Sequence, residues 1–220
     1  MLRSAFLLAC ATLLAPNAIG QTRLEATDIA NHPFSQDFAS GTRLRLRVRS
    51  GEVHVIGTDE KRISVELSGR NARAAGKLKV RLERREGDAE MRISGGPRSD
   101  ITITIRIPSD TDLYARIPFG EVHVENMIRS QDVEIHAGDL TVDVGGPEDY
   151  AHVDASVITG ELDAVPFRET HGGLFRSFRL HGTGTHRLHA HVGAGQLTFV
   201  ARGSGRSRAA SLLLRPDVGP

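Results

Sequence analysis

The chain has 220 residues, of which 39% are hydrophobic and 25% are charged, and this globular balance excludes a disordered tail or a collagen-like fibre. Its 28 lysines and arginines nearly match its 27 aspartates and glutamates, so it lacks the basic excess that nucleic-acid binding requires. Aromatic residues make up only 5% and glycines number 23, which favours many tight turns and an all-β protein.

Residues 1–20 have the pattern of a secretory signal peptide. A basic residue, Arg3, precedes an apolar run over residues 5–15, and small residues end the segment at Gly20. The run is shorter than the roughly 20 residues that span a bilayer, and no later segment approaches that length. We therefore expect an exported protein of the periplasm or cell surface, without a transmembrane segment. Cleavage after Gly20 is favoured over a lipid anchor on Cys10, which is the only cysteine, so the mature chain would lack disulfides and thiol chemistry.

Residues 21–40 are a polar lead-in, after which several stretches alternate strictly between apolar and polar residues. This period of two is typical of half-buried β-strands, with aliphatic residues on one face and charges or threonines on the other. The stretches are Leu44–Val48, Ile63–Leu67, Leu78–Leu82 and Ile101–Ile107.

A short motif recurs five times: a glycine, an acidic or amide residue, and a second alternating strand. Its glycines are Gly51, Gly120, Gly138, Gly160 and Gly195. Spacings near 20 residues match one coil of a β-solenoid, in which each glycine supplies a corner at positive φ. We predict a single β-solenoid domain over residues 41–200, followed by a tail over residues 201–220. An antiparallel β-sandwich is the alternative, because it also produces short strands separated by turns. From Gly120 onward the longest spacing is that from Gly160 to Gly195, and it predicts a further irregular coil around Phe175–Leu180 or Gly182–Gly184.

These features resemble a known family. The signal peptide, the corner Ser50–Val55, the strand Ile63–Leu67, the strand that closes at Ile107-Pro108 and the repeated glycine–acid corners are together similar to the bacterial putative-adhesin domain family of unknown function. The resemblance covers roughly residues 42–200. It implies an exported, head-domain-like, right-handed parallel β-helix with no assigned catalytic residues. One departure is Gly57-Thr58-Asp59 after the first corner, where many relatives place an aromatic residue.

The middle of the chain is acidic, since residues 120–165 hold 11 acidic residues and one arginine. The segment could bind a cation or a partner through Glu121, Glu125, Glu134, Asp139, Asp143, Asp154, Glu161 and Asp163. Neutralisation by neighbouring basic segments is the favoured interpretation. The acids that follow corner glycines could instead serve an envelope enzyme acting on polysaccharide. A repeated row of like acids, however, lacks the unlike environments that acid–base catalysis needs.

The densest histidine cluster is His186, His189 and His191. Alternation places His189 and His191 on the outer face of one strand, where both could reach one metal ion. His186 falls on the opposite face, so a third ligand would come from His171 or His181. An exposed histidine pair is more often free of metal, and no metal site or cofactor is predicted.

Arg43, Arg45, Arg47 and Arg49 form an outward basic ladder. It could contact anionic polysaccharide or lipid headgroups, or it could pair across strands with acids such as Glu66. We expect no catalytic residues and no enzyme activity. The sequence favours an exported structural or adhesion-type binding module of the bacterial cell envelope, with an envelope polymer or a protein as its partner. The alternatives are the polysaccharide-acting enzyme and a histidine-based periplasmic metal-binding protein.

Overall fold

A computed structural model of the chain describes residues 22–72, 77–97 and 100–202, with only the backbone described at 169–172. The expected signal peptide and most of the expected tail lie outside these ranges. Within them the protein is all-β, as predicted, with short 3₁₀ turns and no α-helix.

Thirteen strands make up the described chain. They are β1 (Thr22–Thr27), β2 (Phe34–Asp37), β3 (Arg43–Val48), β4 (Ser50–Thr58), β5 (Arg62–Ser68), β6 (Lys79–Arg85), β7 (Asp88–Ser94), β8 (Thr102–Pro108), β9 (Asp112–Glu125), β10 (Gln131–Val144), β11 (Tyr150–Ala164), β12 (Glu169–His181) and β13 (His186–Ala201).

One mixed, open sheet joins all of these strands. Its main path runs β1-β6-β7-β3-β9-β10-β13-β11-β12, while β4 pairs with β9 and β8, and β5 pairs with β8 and β2. The central neighbours from β7 to β11 along this path are parallel, whereas β1, β6 and β7 pair antiparallel, as do β11 and β12. The last long strand, β13, lies between β10 and β11, so strand order departs from chain order.

Two segments differ from the sequence-based expectation. The lead-in over residues 21–40 contains β1 and β2, which join the sheet because their backbones pair with β6 and β5. Of the two places expected for an irregular coil, Phe175–Leu180 belongs to β12, a strand antiparallel to β11, whereas Gly182–Gly184 lies in the link between β12 and β13. The antiparallel return of β12 places that strand at the end of the main path.

A column of glycines crosses the sheet where the long strands bend. In spatial order, the aligned glycines are Gly51, Gly120, Gly138, Gly195, Gly160 and Gly173. All of them have φ between +114° and +138°, a region that residues with a Cβ rarely adopt. At the four central positions an added Cβ would also overlap the carbonyl oxygen of the neighbouring glycine in the column. The sheet therefore needs glycine at its bends for two reasons, backbone conformation and close strand approach.

The hydrophobic core lies on the inner face on both sides of this bend. Before the bend, Leu44 and Leu46 of β3 are fully buried, as is Leu113 of β9. After the bend, Val53 and Val122 are likewise buried in adjacent positions. Strict alternation thus commits one face to packing and leaves the other face, with its charges, for contact with solvent or a partner.

Candidate binding surface on the outer face of the sheet

The arginine ladder of β3 projects from the outer face, as its alternation predicts. Arg43, Arg45 and Arg47 are exposed, while the residues between them are buried. Arg49 is also exposed and lies in the one-residue link between β3 and β4. These arginines therefore stand at the centre of the sheet, where β3 is flanked by β7 and β9.

Arginines on neighbouring strands lie beside the arginine ladder of β3. Arg47 is paired with Arg92 of β7 on one side and with Arg116 of β9 on the other, and Arg81 of β6 lies beyond Arg92. Neighbouring strands are roughly 4.8 Å apart, so the four arginines form a close row. Like charges in directly opposite positions destabilise a sheet unless acidic residues compensate them.

Glutamates on the same face supply this compensation. Glu90 lies 2.9 Å from Arg92 and 3.7 Å from Arg47. Glu25 lies 3.1 Å from Arg81. The hydrogen bond from Arg92, together with the nearby charge of Arg47, lowers the pKa of Glu90 despite its partial burial.

The cross-strand partners of the ladder differ from the acid suggested by the sequence. Arg43 lies 3.5 Å from Asp88 of β7. Glu66 instead lies 2.7 Å from Arg106, which projects from β8. Cross-strand pairing therefore occurs, but with acids of β7, because β7 and not β5 lies beside β3.

A groove of about 430 Å³ runs along this part of the outer face, and we call it the arginine groove. Its lining includes the four guanidinium-bearing residues Arg47, Arg49, Arg92 and Arg116, one acid, Glu134, and one histidine, His136. Guanidinium groups are planar and always charged, and they bind carboxylate, sulfate or phosphate through paired hydrogen bonds. The groove therefore has the chemistry of an anion-binding surface.

A second depression of about 650 Å³ adjoins the arginine groove and shares Arg49 and Pro118 with it. Phe119, with 60% of its surface exposed, stands in this depression next to the bend. Three acids, Glu52, Asp100 and Glu121, also line it. The positive charge is thus concentrated on the β3 side of the bend.

The acids of the acidic segment are spread over β9, β10 and β11, on both sides of the bend. Glu134 and Asp154 precede the bend of their strands, whereas Asp143 comes near the end of β10. Burial raises the pKa of Asp143. The acids that follow corner glycines, Glu121 and Asp139, are paired neighbours across β9 and β10.

Two histidines contact glutamates that follow corner glycines. The rings of His54 and His123 stack with centroids 4.6 Å apart. Each Nε2 atom lies 2.8–2.9 Å from the Oε1 atom of the glutamate two residues earlier, Glu52 or Glu121. The hydrogen bonds that Glu52 accepts from His54 and Thr102 lower the pKa of its carboxyl group.

The predicted histidine cluster is only partly brought together. His189 and His191 do share the outer face of β13, but His191 is hydrogen-bonded to Ser156 at 2.8 Å. The ring of His181 packs against that of His152, with centroids 4.6 Å apart. The side chain of His171 lies outside the described part of the chain.

Two acidic residues of β10 lie close to His189. One potential ligand atom from each of Asp132, Glu134 and His189 lies within 4.8 Å of the other two. The sequence indicates Glu134 and His189 as separate candidates, but it does not indicate Asp132 or the proximity of the three side chains. Parallel pairing of β10 with β13 was the missing information.

Comparisons with known proteins place this chain in no family. No family model matches the sequence, and no curated protein matches it either. A crystal structure described as a putative cell adhesion protein from Clostridium sporogenes aligns with 83% of this chain and all of its own chain, at 13% identity and a TM-score of 0.46. Among the described residues, none forms a helix long and apolar enough to cross a membrane.

Proposed function

We propose that this protein is an exported, non-catalytic binding module of the bacterial cell envelope, and that its arginine groove binds an anionic envelope polymer. The observation that carries the proposal is the convergence of Arg47, Arg49, Arg92 and Arg116 on one open groove. The buried aliphatic residues beneath them hold the strands, and so the spacing of the arginines, in place.

We infer that the all-β sheet is a variant of the β-solenoid. Its central strands are parallel and in register, and their corner glycines align from β4 to β11. A β-sandwich would pair such strands antiparallel. The position of β13 between β10 and β11 is the departure from a solenoid whose coils follow chain order.

Anionic groups of a polymer can replace the glutamates as partners of the arginines at a small cost in free energy. An anion that enters the groove competes with Glu90 for Arg47 and Arg92, and with Glu134 for Arg116. Exposed ion pairs of this kind contribute only about 0.2–1 kcal/mol each. A polymer that offers several anionic groups to several arginines gains from multivalency, which one glutamate cannot provide.

Binding to dextran sulfate, with neutral dextran as the uncharged comparison, tests the proposal. The exported protein should bind dextran sulfate only, and high salt should weaken the interaction because exposed charges are screened. The variant Arg47→Gln, which removes one ion-paired arginine from the groove, should bind at least about fivefold more weakly, which corresponds to about 1 kcal/mol.

Arg179→Gln is the matched control. Arg179 is an ion-paired arginine on the same face, but it lies on β12, four strands from β9. Its loss should change affinity less than twofold. Equal weakening by both changes would show that only net charge matters and would refute the groove. Shortening of an envelope polysaccharide during incubation with the protein, measured by size-exclusion chromatography, would refute the non-catalytic role.

A further inference from the structure

Three side chains capable of metal binding meet on the outer face of β10 and β13. Asp132 and Glu134 are two residues apart on β10, so both project from the same face. β13 runs parallel to β10 with His189 opposite Asp132 and His191 opposite Glu134. His189 is therefore a neighbour of both carboxylates, and the buried residues between them fix this register.

The separations approach those of a coordination site. His189 Nε2 lies 3.6 Å from Glu134 Oε1. Zinc–ligand bonds of about 2.0–2.1 Å at the tetrahedral angle place two ligand atoms about 3.3 Å apart. The other two separations are at most 4.8 Å, so they need to shorten by no more than about 1.5 Å. Side-chain rotation can supply this, because all three residues are only half-buried.

One oxygen atom of the cluster lacks a hydrogen bond. Asp132 Oδ1 is shielded from solvent and accepts none, although Arg116 Nη1 lies 2.8 Å away. That nitrogen donates to the backbone carbonyl oxygens of Ala115 and Asp132, each at 3.0 Å, which accounts for both of its hydrogens. Asp132 Oδ1 is therefore ion-paired with Arg116 but receives no directed hydrogen bond from it, and a metal ion that binds this oxygen must displace the guanidinium.

From these contacts we propose that Asp132, Glu134 and His189 form a binding site for a divalent transition-metal ion, with Zn²⁺ as the best fit. One imidazole nitrogen and two carboxylate oxygens are a mixed donor set that zinc accepts, whereas Ca²⁺ and Mg²⁺ prefer oxygen ligands alone. Three protein ligands leave a fourth position of the tetrahedron to water. The proposal does not depend on polymer binding in the arginine groove.

Arg116 provides a variant that should raise the zinc affinity. Its Nη2 atom lies 3.1 Å from Glu134 Oε1, so a metal ion competes with the guanidinium for that oxygen. The two positive charges also repel one another. Replacement of Arg116 by glutamine should therefore raise the affinity for zinc, whereas removal of a ligand should lower it.

Isothermal titration of the exported, chelator-treated protein with ZnCl₂ at pH 7.5 tests the site. Asp132→Asn and His189→Gln should each lower the zinc affinity at least tenfold, and Arg116→Gln should raise it. CaCl₂ should bind at least tenfold more weakly than ZnCl₂. Melting curves in chelator should be alike for the parent and the variants, which separates lost ligands from lost folding.

Other surface histidines provide the control. His54 stacks on His123 and lies next to Glu52, and these three residues are a second group of potential zinc ligands. His54→Gln should leave the zinc affinity unchanged. Zinc binding that survives both Asp132→Asn and His189→Gln, or that disappears in His54→Gln, would overturn the assignment. So would an absence of zinc binding at micromolar concentrations, or a lower zinc affinity in Arg116→Gln.

Discussion

The glycine column predicts that one added methyl group destabilises the sheet to a different extent at different bends. In Gly138→Ala, the new Cβ would overlap the carbonyl oxygen of Gly120 and lie 2.9 Å from its carbonyl carbon. In Gly51→Ala, the nearest heavy atom would be Ile101 Cγ1 at 3.8 Å, an ordinary van der Waals distance. The backbone conformations are alike, with φ of +127° at Gly138 and +128° at Gly51. The two variants therefore differ mainly in the steric overlap.

The structure gives an approximate magnitude for each change. A side chain at this φ costs about 1–3 kcal/mol at either position. Relief of the overlap in Gly138→Ala requires strands β9 and β10 to separate, which adds a cost similar to that of core overpacking, about 1–3 kcal/mol. We expect Gly51→Ala to lose about 1–3 kcal/mol and Gly138→Ala about 2–6 kcal/mol. The larger loss is a substantial part of the 5–15 kcal/mol that holds a typical domain folded.

Equilibrium urea denaturation followed by circular dichroism measures both losses. The parent and the two alanine variants should show similar slopes, with the midpoint of Gly138→Ala falling further than that of Gly51→Ala. A Gly51→Ala variant that is as unstable as Gly138→Ala would refute the steric argument and leave only backbone conformation as the reason for glycine. Parent-like stability of both variants would refute the conformational argument as well.

Two further predictions concern pH and packing. Because hydrogen bonds from His54 and Thr102 lower its pKa, Glu52 stabilises the fold above its unfolded pKa of about 4.3, and this contribution is lost as pH falls through the folded value. Glu52→Gln should therefore reduce stability more at pH 7 than at pH 3 in urea titrations; an equal reduction at both would contradict the linkage. The ring of Phe167 contacts three other aromatic rings, so Phe167→Ala should lower the free energy of unfolding by about 3–5 kcal/mol. The side chain of Phe175 is 78% exposed, so the free energy of unfolding of Phe175→Ala should stay within about 0.5 kcal/mol of the parent value in the same assay.

Local features of the fold could be predicted from the sequence because they depend on near neighbours in the chain. Alternation alone fixes which side chains of β3 face outward, and Arg43, Arg45 and Arg47 are exposed as expected. The recurring glycines also mark the bends correctly. All five of those predicted to have positive φ do so: Gly51, Gly120, Gly138, Gly160 and Gly195.

Lateral neighbours could not be predicted in the same way. A period of two specifies the face of a residue but not the strand that lies beside it, so nothing local places Arg116 next to Arg47. The insertion of β13 between β10 and β11 has the same origin. For that reason the sequence predicts other histidines as partners of His189, whereas the sheet brings it to Asp132 and Glu134.

Arg116 connects the two proposed sites and allows them to be separated. Its side chain lines the arginine groove and also contacts the carboxylates of Asp132 and Glu134. In the groove its positive charge attracts an anion, whereas at the carboxylates the same charge opposes a metal ion. The single change Arg116→Gln should therefore have opposite effects on the two affinities. It should lower the affinity for the polymer and raise the affinity for zinc. A general disturbance of the sheet would weaken both, so opposite signs would trace each effect to the charge of this one side chain.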